Sequence, residues 1–446
     1  MRPDGLTRRD LLKTGAAAAT FAATTNLLTP RRTLAARDHK LVFWLQPNFN
    51  PTADKVLEEQ TMAFAKEAGL KDSEVQILKV SGGELAPKLT AALEINAPPD
   101  VTRLSEAFVA RHRALGQLLD ISDLMAEMRK VEGGLVPAVI PLTEAGGRYY
   151  SVPMGLSPLV FTARTDLFEK AGYSSFPDTW EKLLEASLKL NKPPFYAYGM
   201  ALGTTPGYSD STGDILMLMW SNGGKLLDKD SRPAASSPGT VAAFQFIKDM
   251  YAKHQIIPKG AVSWDNAGNN KAYQSQQVAY VYDGTSIFSY LLTSDTELAA
   301  RTGLFAAPAG PAGKARHLYT DYYGVFKASP YPEVAKGFIR YLMEPKRYSE
   351  FLVATQGRYV PVYPKMQSDP FWTSKPQFAG LLAIGREGQP MSWEGRITPA
   401  LGEVVSQSLL GKTAHEVLVN GVEPAAAAAK LQAEIVAIYR RMNEPV

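Results

Sequence analysis

Apolar and polar positions along this chain change period several times, and the changes predict its elements. Leu41 to Leu45 is a continuous apolar run of strand length, followed by the polar stretch Gln46 to Asn50. Apolar residues at helical spacing, among them Val56, Met62 and Phe64, predict a helix over 52–68 with Gly69 as its stop. Val75 to Val80 reads as a second strand, 84–96 as a helix broken by Pro98 and Pro99, Asp100-Val101 as the opening of a third strand, and 107–115 as a helix. Strands alternating with helices imply a largely parallel sheet covered on both faces, so the class is α/β. In such sheets ligands sit beyond the carboxyl ends of the strands.

The stretch from Tyr149 to Trp180 changes that rhythm. A Pro-broken segment around Pro153 leads into the apolar run Leu159-Val160-Phe161, a short helix closed by Gly172, and a second helix announced by Pro177 to Trp180. A strand leaving a Pro/Gly-rich segment a third of the way along a long chain predicts a crossing between two lobes. The Gly-, Ala- and Pro-rich stretch 302–313 suits a second crossing, and Gly357 to Pro361 a third. Between them lie expected strands at 198–202, 277–282 and 322–326, and an amphipathic helix at 240–254. The last hundred residues read as mostly helical, with Gly411 ending one helix and Thr413 and Glu416 capping the next. No internal repeat is visible.

Composition narrows the functions. At 446 residues the chain can bury two substantial cores. It has no cysteine, which excludes disulfides, thiol catalysis and Cys-ligated metals. Its formal charge of +4 resides in the first thirty-six residues, where Arg2, Arg8, Arg9, Lys13, Arg31 and Arg32 outweigh Asp4 and Asp10. The remainder is neutral overall, and nothing in it suggests nucleic acid. That leader has a charged start, an Ala- and Thr-rich apolar middle and small residues at Ala35-Ala36, the order of a secretory signal. Arg8-Arg9-Asp10-Leu11-Leu12-Lys13 resembles a twin-arginine signal. Without a cysteine for lipidation, the exported chain is expected free in a periplasm.

Motifs for chemistry are sparse. The histidines 39, 112, 254, 317 and 415 never stand at metal-ligand spacing, so no metal or other cofactor is expected. No Gly-x-Ser-x-Gly elbow appears, and Gly411-Lys412-Thr413 lacks the first glycine of a phosphate loop. Carboxylate pairs leave a glycosidase open without marking one. What stands out is amide, carboxylate and aromatic residues at predicted strand ends: Trp44, Gln46 and Asn48; Arg103, Ser105 and Glu106; Tyr208; Trp264 to Asn266; Tyr282-Asp283-Gly284; Asp321, Tyr322 and Tyr323; and Trp393-Glu394. Sugars call for this mixture, because hydroxyls exchange hydrogen bonds with polar side chains while C–H faces pack on rings. Each residue alone is equally compatible with core or surface.

Five landmarks in order resemble a known family. They are Ala97 to Val101, Tyr149 to Pro153 with Leu159 to Phe168, Ala171-Gly172 with Pro177 to Glu181, Trp220 to Gly224, and Ala328 to Leu342. The chain is similar in these to the extracellular solute-binding proteins of ABC importers, in the sugar-binding group that includes maltose-binding protein. The resemblance implies a two-lobe periplasmic binding protein fold of type II, closing by hinge crossings on a ligand and delivering it to membrane permease subunits. It implies a signal over 1–36, an N-lobe of 37–157 plus 305–357, and a C-lobe of 158–304 plus 358–446. It carries over pocket positions at Gln46, Asn48, Ser105, Glu106, Asp283, Gly284, Tyr322, Tyr323 and Trp393, with Tyr208 and Trp264. Leu104 and Ser286 stand where the group carries pocket tryptophans, which points away from maltose.

The reading is a periplasmic, non-enzymatic, monomeric carbohydrate receptor with no nucleic-acid partner. Two alternatives remain open at this stage. One is a receptor for a charged solute such as a sugar acid, polyol phosphate or polyamine, for which Arg103, Arg358 and Arg396 would suit an anion. The other is a secreted glycan-processing enzyme.

Overall fold

The structure, a computed structural model, describes residues 38–131, 133–206 and 210–446. The expected signal at 1–36 and the site candidate Tyr208 lie outside the described residues.

The first apolar run becomes strand β1, Leu41–Leu45, buried along its whole length. It pairs in parallel with β2, Val75–Lys79, on one side and with β3, Val101–Ser105, on the other. Helices α1, Pro51–Glu67, and α2, Gly82–Glu94, make the crossovers. Asn50 starts α1 by accepting from Thr52 N at 3.0 Å, with Pro51 in the first helical position. The helix stops at Gly69, whose φ of 69° suits a residue without a Cβ. Helix α3, Glu106–Ala114, follows β3 directly.

The Pro-broken segment after Tyr149 corrects an expectation. The prolines do not break it: Val152–Pro158 forms a fully buried strand, β4, and the crossing follows it. It holds Pro153 and Pro158 because it is the edge of the sheet, where a missing N–H is tolerated. The full order is β2-β1-β3-β9-β4, with β9, Leu318–Val325, antiparallel to both neighbours.

At Leu159 the chain leaves this sheet for a second one. Its strands are β5, Val160–Arg164, β6, Tyr196–Tyr198, β7, Val278–Asp283, and β8, Thr302–Phe305, in the order β8-β5-β7-β6. Strand β6 begins two residues before the expected 198–202 and shares only Tyr198 with it, because Ala201 N turns away to the Asp214 carboxylate at 3.0 Å. The chain returns to the first sheet between Phe305 and Leu318. After Gly357 it first packs with the five-stranded sheet: Val360 bridges Leu156, and Tyr359, Phe378 and Ile384 join the core on that sheet's face.

A second core spans the other face of the first sheet and the second sheet, from Trp44, Leu104 and Tyr322 to Phe161, Tyr198 and Tyr280. The last hundred residues are mostly helical as expected, with one correction. The break falls at Ser408 in the left-handed region, φ 53°, and helix Leu409–Leu418 runs through Gly411 and Thr413. Thr413 Oγ1 bonds to Leu409 O at 2.8 Å within that helix, so it caps nothing. Among the described residues no helix is long and apolar enough to cross a membrane.

One glycine at the crossing is under steric demand. A Cβ on Gly155 of β4 would lie 2.7 and 2.8 Å from two atoms of the Tyr359 ring and 3.0 Å from the Tyr359 Cβ. Gly155→Ala is expected to cost about 1–3 kcal/mol by overpacking, read as a lower urea midpoint at unchanged slope.

Candidate functional site

Between the two sheets lies a cavity of about 300 Å³. Its walls come from the places where strands end and helices begin. Gln46, Pro47 and Phe49 follow β1; Ser81, Gly82 and Gly83 open α2; Arg103 and Ser105 close β3. From the other side come Asp210 at the start of helix Asp210–Ser221, Asp265 and Asn266, and Asp283 and Gly284 at the end of β7. Ser157 of β4, Tyr319 and Asp321 of β9, and Arg358 line it where the chain passes between sheets. Helix amino ends and strand carboxyl ends thus face one space, the arrangement expected of a ligand site in open α/β sheets.

Arg103 organises one wall. Its guanidinium donates to Asn48 Oδ1 at 3.2 Å, to Gln46 Oε1 at 3.3 Å and to the Tyr359 hydroxyl, and lies 3.7 Å from Asp321 Oδ2. Tyr359 in turn donates to Asp321 Oδ2 at 3.0 Å. Asn48 is fixed from behind, its backbone and side-chain nitrogens both donating to Asp54 Oδ1 at 2.8 Å. Four segments distant in sequence are thereby tied together by charge-assisted bonds.

The opposite wall carries carboxyls. Asp283 accepts from Gly284 N at 2.6 Å and from Ser286 Oγ at 3.3 Å, and burial pushes its carboxyl up to about 6. Asp210 is raised well above the usual carboxylate range, by burial first and then by repulsion from Asp283. Arg358 stands over the Phe49 and Tyr359 rings, 5.2 Å from each centroid, and its charge works against both shifts.

Of the residues singled out in the sequence, Gln46, Arg103, Ser105, Asp265, Asn266, Asp283, Gly284, Asp321 and Arg358 line the cavity. Asn48 stands behind Arg103. The others sit elsewhere. Trp44 is buried in the core that joins the sheets. Glu106 is fully buried at the start of α3; one carboxyl oxygen accepts from Met391 N at 3.1 Å, the other has no partner, and burial pushes the group up to about 8. Trp264 borders a separate cavity with Ser263 and Lys271. Tyr322 and Tyr323 enter opposite cores, as successive residues of a strand do. Trp393 meets Trp220 edge-on at 5.8 Å, with Lys225 over its face at 5.0 Å.

Asp210, Ser157 and Tyr319 carried no distinguishing signal in the sequence. Arg103 and Asp321 stand among the polar residues at predicted strand ends, and strand alternation separates Asp321 from Tyr322. Among the described residues no group of three or more His, Asp or Glu side chains could hold a metal ion.

Two α/β lobes joined by repeated crossings, with a polar cavity between them, define a two-lobe binding protein of type II. The chain belongs to the bacterial extracellular solute-binding proteins, whose family model matches residues 46–347. These are binding proteins rather than enzymes. Among solved structures, maltose-bound MalE3 of T. maritima superimposes with a TM-score of 0.78 at 21% identity, covering 89% of this chain and 99% of that one. A solute-binding protein of Agrobacterium radiobacter in complex with ribitol gives 0.77 at 20% identity, covering 90% and 98%. Among sequence relatives, a probable ABC transporter-binding protein of Deinococcus radiodurans is 26% identical over 244 residues, 52% of this chain and 56% of its own length. The mannitol-binding protein of Pseudomonas aeruginosa is 26% identical over 208 residues, 46% and 47% of the two chains. The chain spans about half the length of the curated relatives it matches.

Proposed function

We propose that this protein is the substrate-binding component of an ABC importer, capturing a carbohydrate between its lobes and presenting it to a permease. The observation that carries this reading is the cavity itself. Carboxylates, amides, hydroxyls and two guanidinium groups converge between two sheets in a chain of the solute-binding family. Such a lining exchanges many hydrogen bonds with a polyhydroxy ligand. Crossings at the cavity's edge suit closure by hinge bending. Export by the twin-arginine route, a periplasmic location, a monomeric state and the lobes 37–157 plus 305–357 and 158–304 plus 358–446 complete the proposal. Catalysis forms no part of it, and Glu106 lies off the cavity lining.

A cationic solute is the second reading, favoured by a lining in which Asp210, Asp265, Asp283 and Asp321 outnumber Arg103 and Arg358. The same excess disfavours sugar acids and polyol phosphates. Titration calorimetry against carbohydrates, sugar acids and polyamines tests both. Saturable carbohydrate binding, with the sugar recovered intact, is expected. Binding of a polyamine alone would replace the reading, and turnover of a glycoside would defeat it.

A further inference from the structure

The shape and chemistry of the cavity go further than its class. Resting on the carbohydrate reading, we infer that the ligand is a short uncharged polyol or monosaccharide, held through adjacent hydroxyls by Asp210, Asp283 and Arg358. At about 300 Å³ the space is at the small end of ligand sites. Oligosaccharide chains gain much of their affinity by laying C–H faces on aromatic rings, tryptophan above all, and the described lining holds no tryptophan. The tryptophans are elsewhere: Trp44 in the core, Trp393 against Trp220, and Trp264 on a separate cavity. Among the described residues the aromatic lining is Phe49, Phe108 and Tyr319. One of these, Phe49, already has the Arg358 guanidinium 5.2 Å from its ring centroid.

Polar groups take the place of rings. Asp210 begins a helix and Asp283 ends a strand, so both carboxyls are set by rigid elements, with Arg358 entering from the crossing. A guanidinium can only donate and a carboxylate can only accept. A hydroxyl does both, so a pair of neighbouring hydroxyls can give a hydrogen to each carboxyl while an oxygen accepts from Arg358. The raised carboxyls fit this partner, since a hydroxyl donates to a carboxylate and accepts from a carboxylic acid. A cationic ligand would match the two aspartates but meet Arg358; an anion would meet both aspartates.

The test is a thermal-shift and calorimetric panel on the chain as it exists. Ribitol, mannitol, sorbitol, glucose, mannose and fructose are set against maltose, laminaribiose, maltotriose, gluconate and spermidine. The expected result is a rise in Tm and a saturable isotherm with one or more of the first group, at least tenfold tighter than with any of the second. A disaccharide, trisaccharide or anion as the tightest ligand overturns the inference, and a disaccharide or trisaccharide leaves the carbohydrate reading standing. Spermidine as the tightest ligand, or silence across the whole panel, overturns the carbohydrate reading and this inference with it. For the ligand found, Asp283→Asn and Asp210→Asn are each expected to weaken binding at least tenfold while the unliganded Tm holds or rises. Affinity within twofold of wild type in both variants would remove the clamp.

Discussion

Arg103→Met is expected to be the most damaging single change in the cavity wall, lowering unfolding stability by about 3–5 kcal/mol. The guanidinium is buried and reaches Asn48, Gln46 and Tyr359, with Asp321 3.7 Å away. Removing it leaves Asp321 buried with the Tyr359 hydroxyl as its remaining bond, and an unpaired buried carboxylate costs far more than the pair contributed. The comparison with Asp321→Asn decides the cause. If the unpaired charge is responsible, the double variant should recover part of the loss, a positive coupling in a double-mutant cycle by urea denaturation. Strict additivity, or a loss below about 1 kcal/mol, would mean that Arg103 behaves as an ordinary surface ion. Ligand binding should fall in all three variants, since Gln46, Arg103 and Asp321 line the cavity together.

Glu106→Gln should act in the opposite sense and only at high pH. The glutamate is buried, has one unpartnered oxygen, and its carboxyl is pushed from 4.5 up to about 8 by desolvation, offset in part by the bond from Met391 N. The folded state therefore holds this proton more tightly than the unfolded chain does. The stability from that difference is fully present below pH 4.5 and is lost as pH rises through 8. A glutamine keeps the Met391 bond and never ionises. At about 1.4 kcal/mol per pKa unit, the variant should gain on the order of 3–5 kcal/mol over wild type at pH 9 and little at pH 5. Denaturation midpoints at the two pH values check this, and a variant destabilised equally at both would refute it. Asp283 and Asp210 are raised as well and add a slope of the same sign, common to both proteins. His112 and His317, lowered by burial to about 4 and about 3, lose part of their contribution between about pH 6.5 and pH 5, equally in both proteins, so it cancels in the comparison.

These two sites show how far the chain could be read before it was folded. Glu106 was visible as a carboxylate after a strand, where a ligand residue belongs. Its actual position, buried at the start of α3 and bonded to Met391, depends on a segment 285 residues away. Arg103 was visible too, but its importance comes from Gln46, Asn48, Asp321 and Tyr359, which share no local pattern with it.

The sequence by itself determined the class, the alternation of strands and helices, most element positions and the family. Apolar periodicity and capping residues act over a few positions and survive in any context. It also marked the crossing at Leu159, through the proline and glycine around it. Tertiary structure decided which polar residues share a space. Strand alternation sent Tyr322 and Tyr323 into opposite cores, and Asp321, beside a register shift, was left at the cavity. Packing drew Trp44 into the core and Trp393 against Trp220, and it placed Asp210 beside Asp283 across 73 positions of sequence. A site assembled from loop ends depends on long-range pairing, and no local signal records which ends will meet.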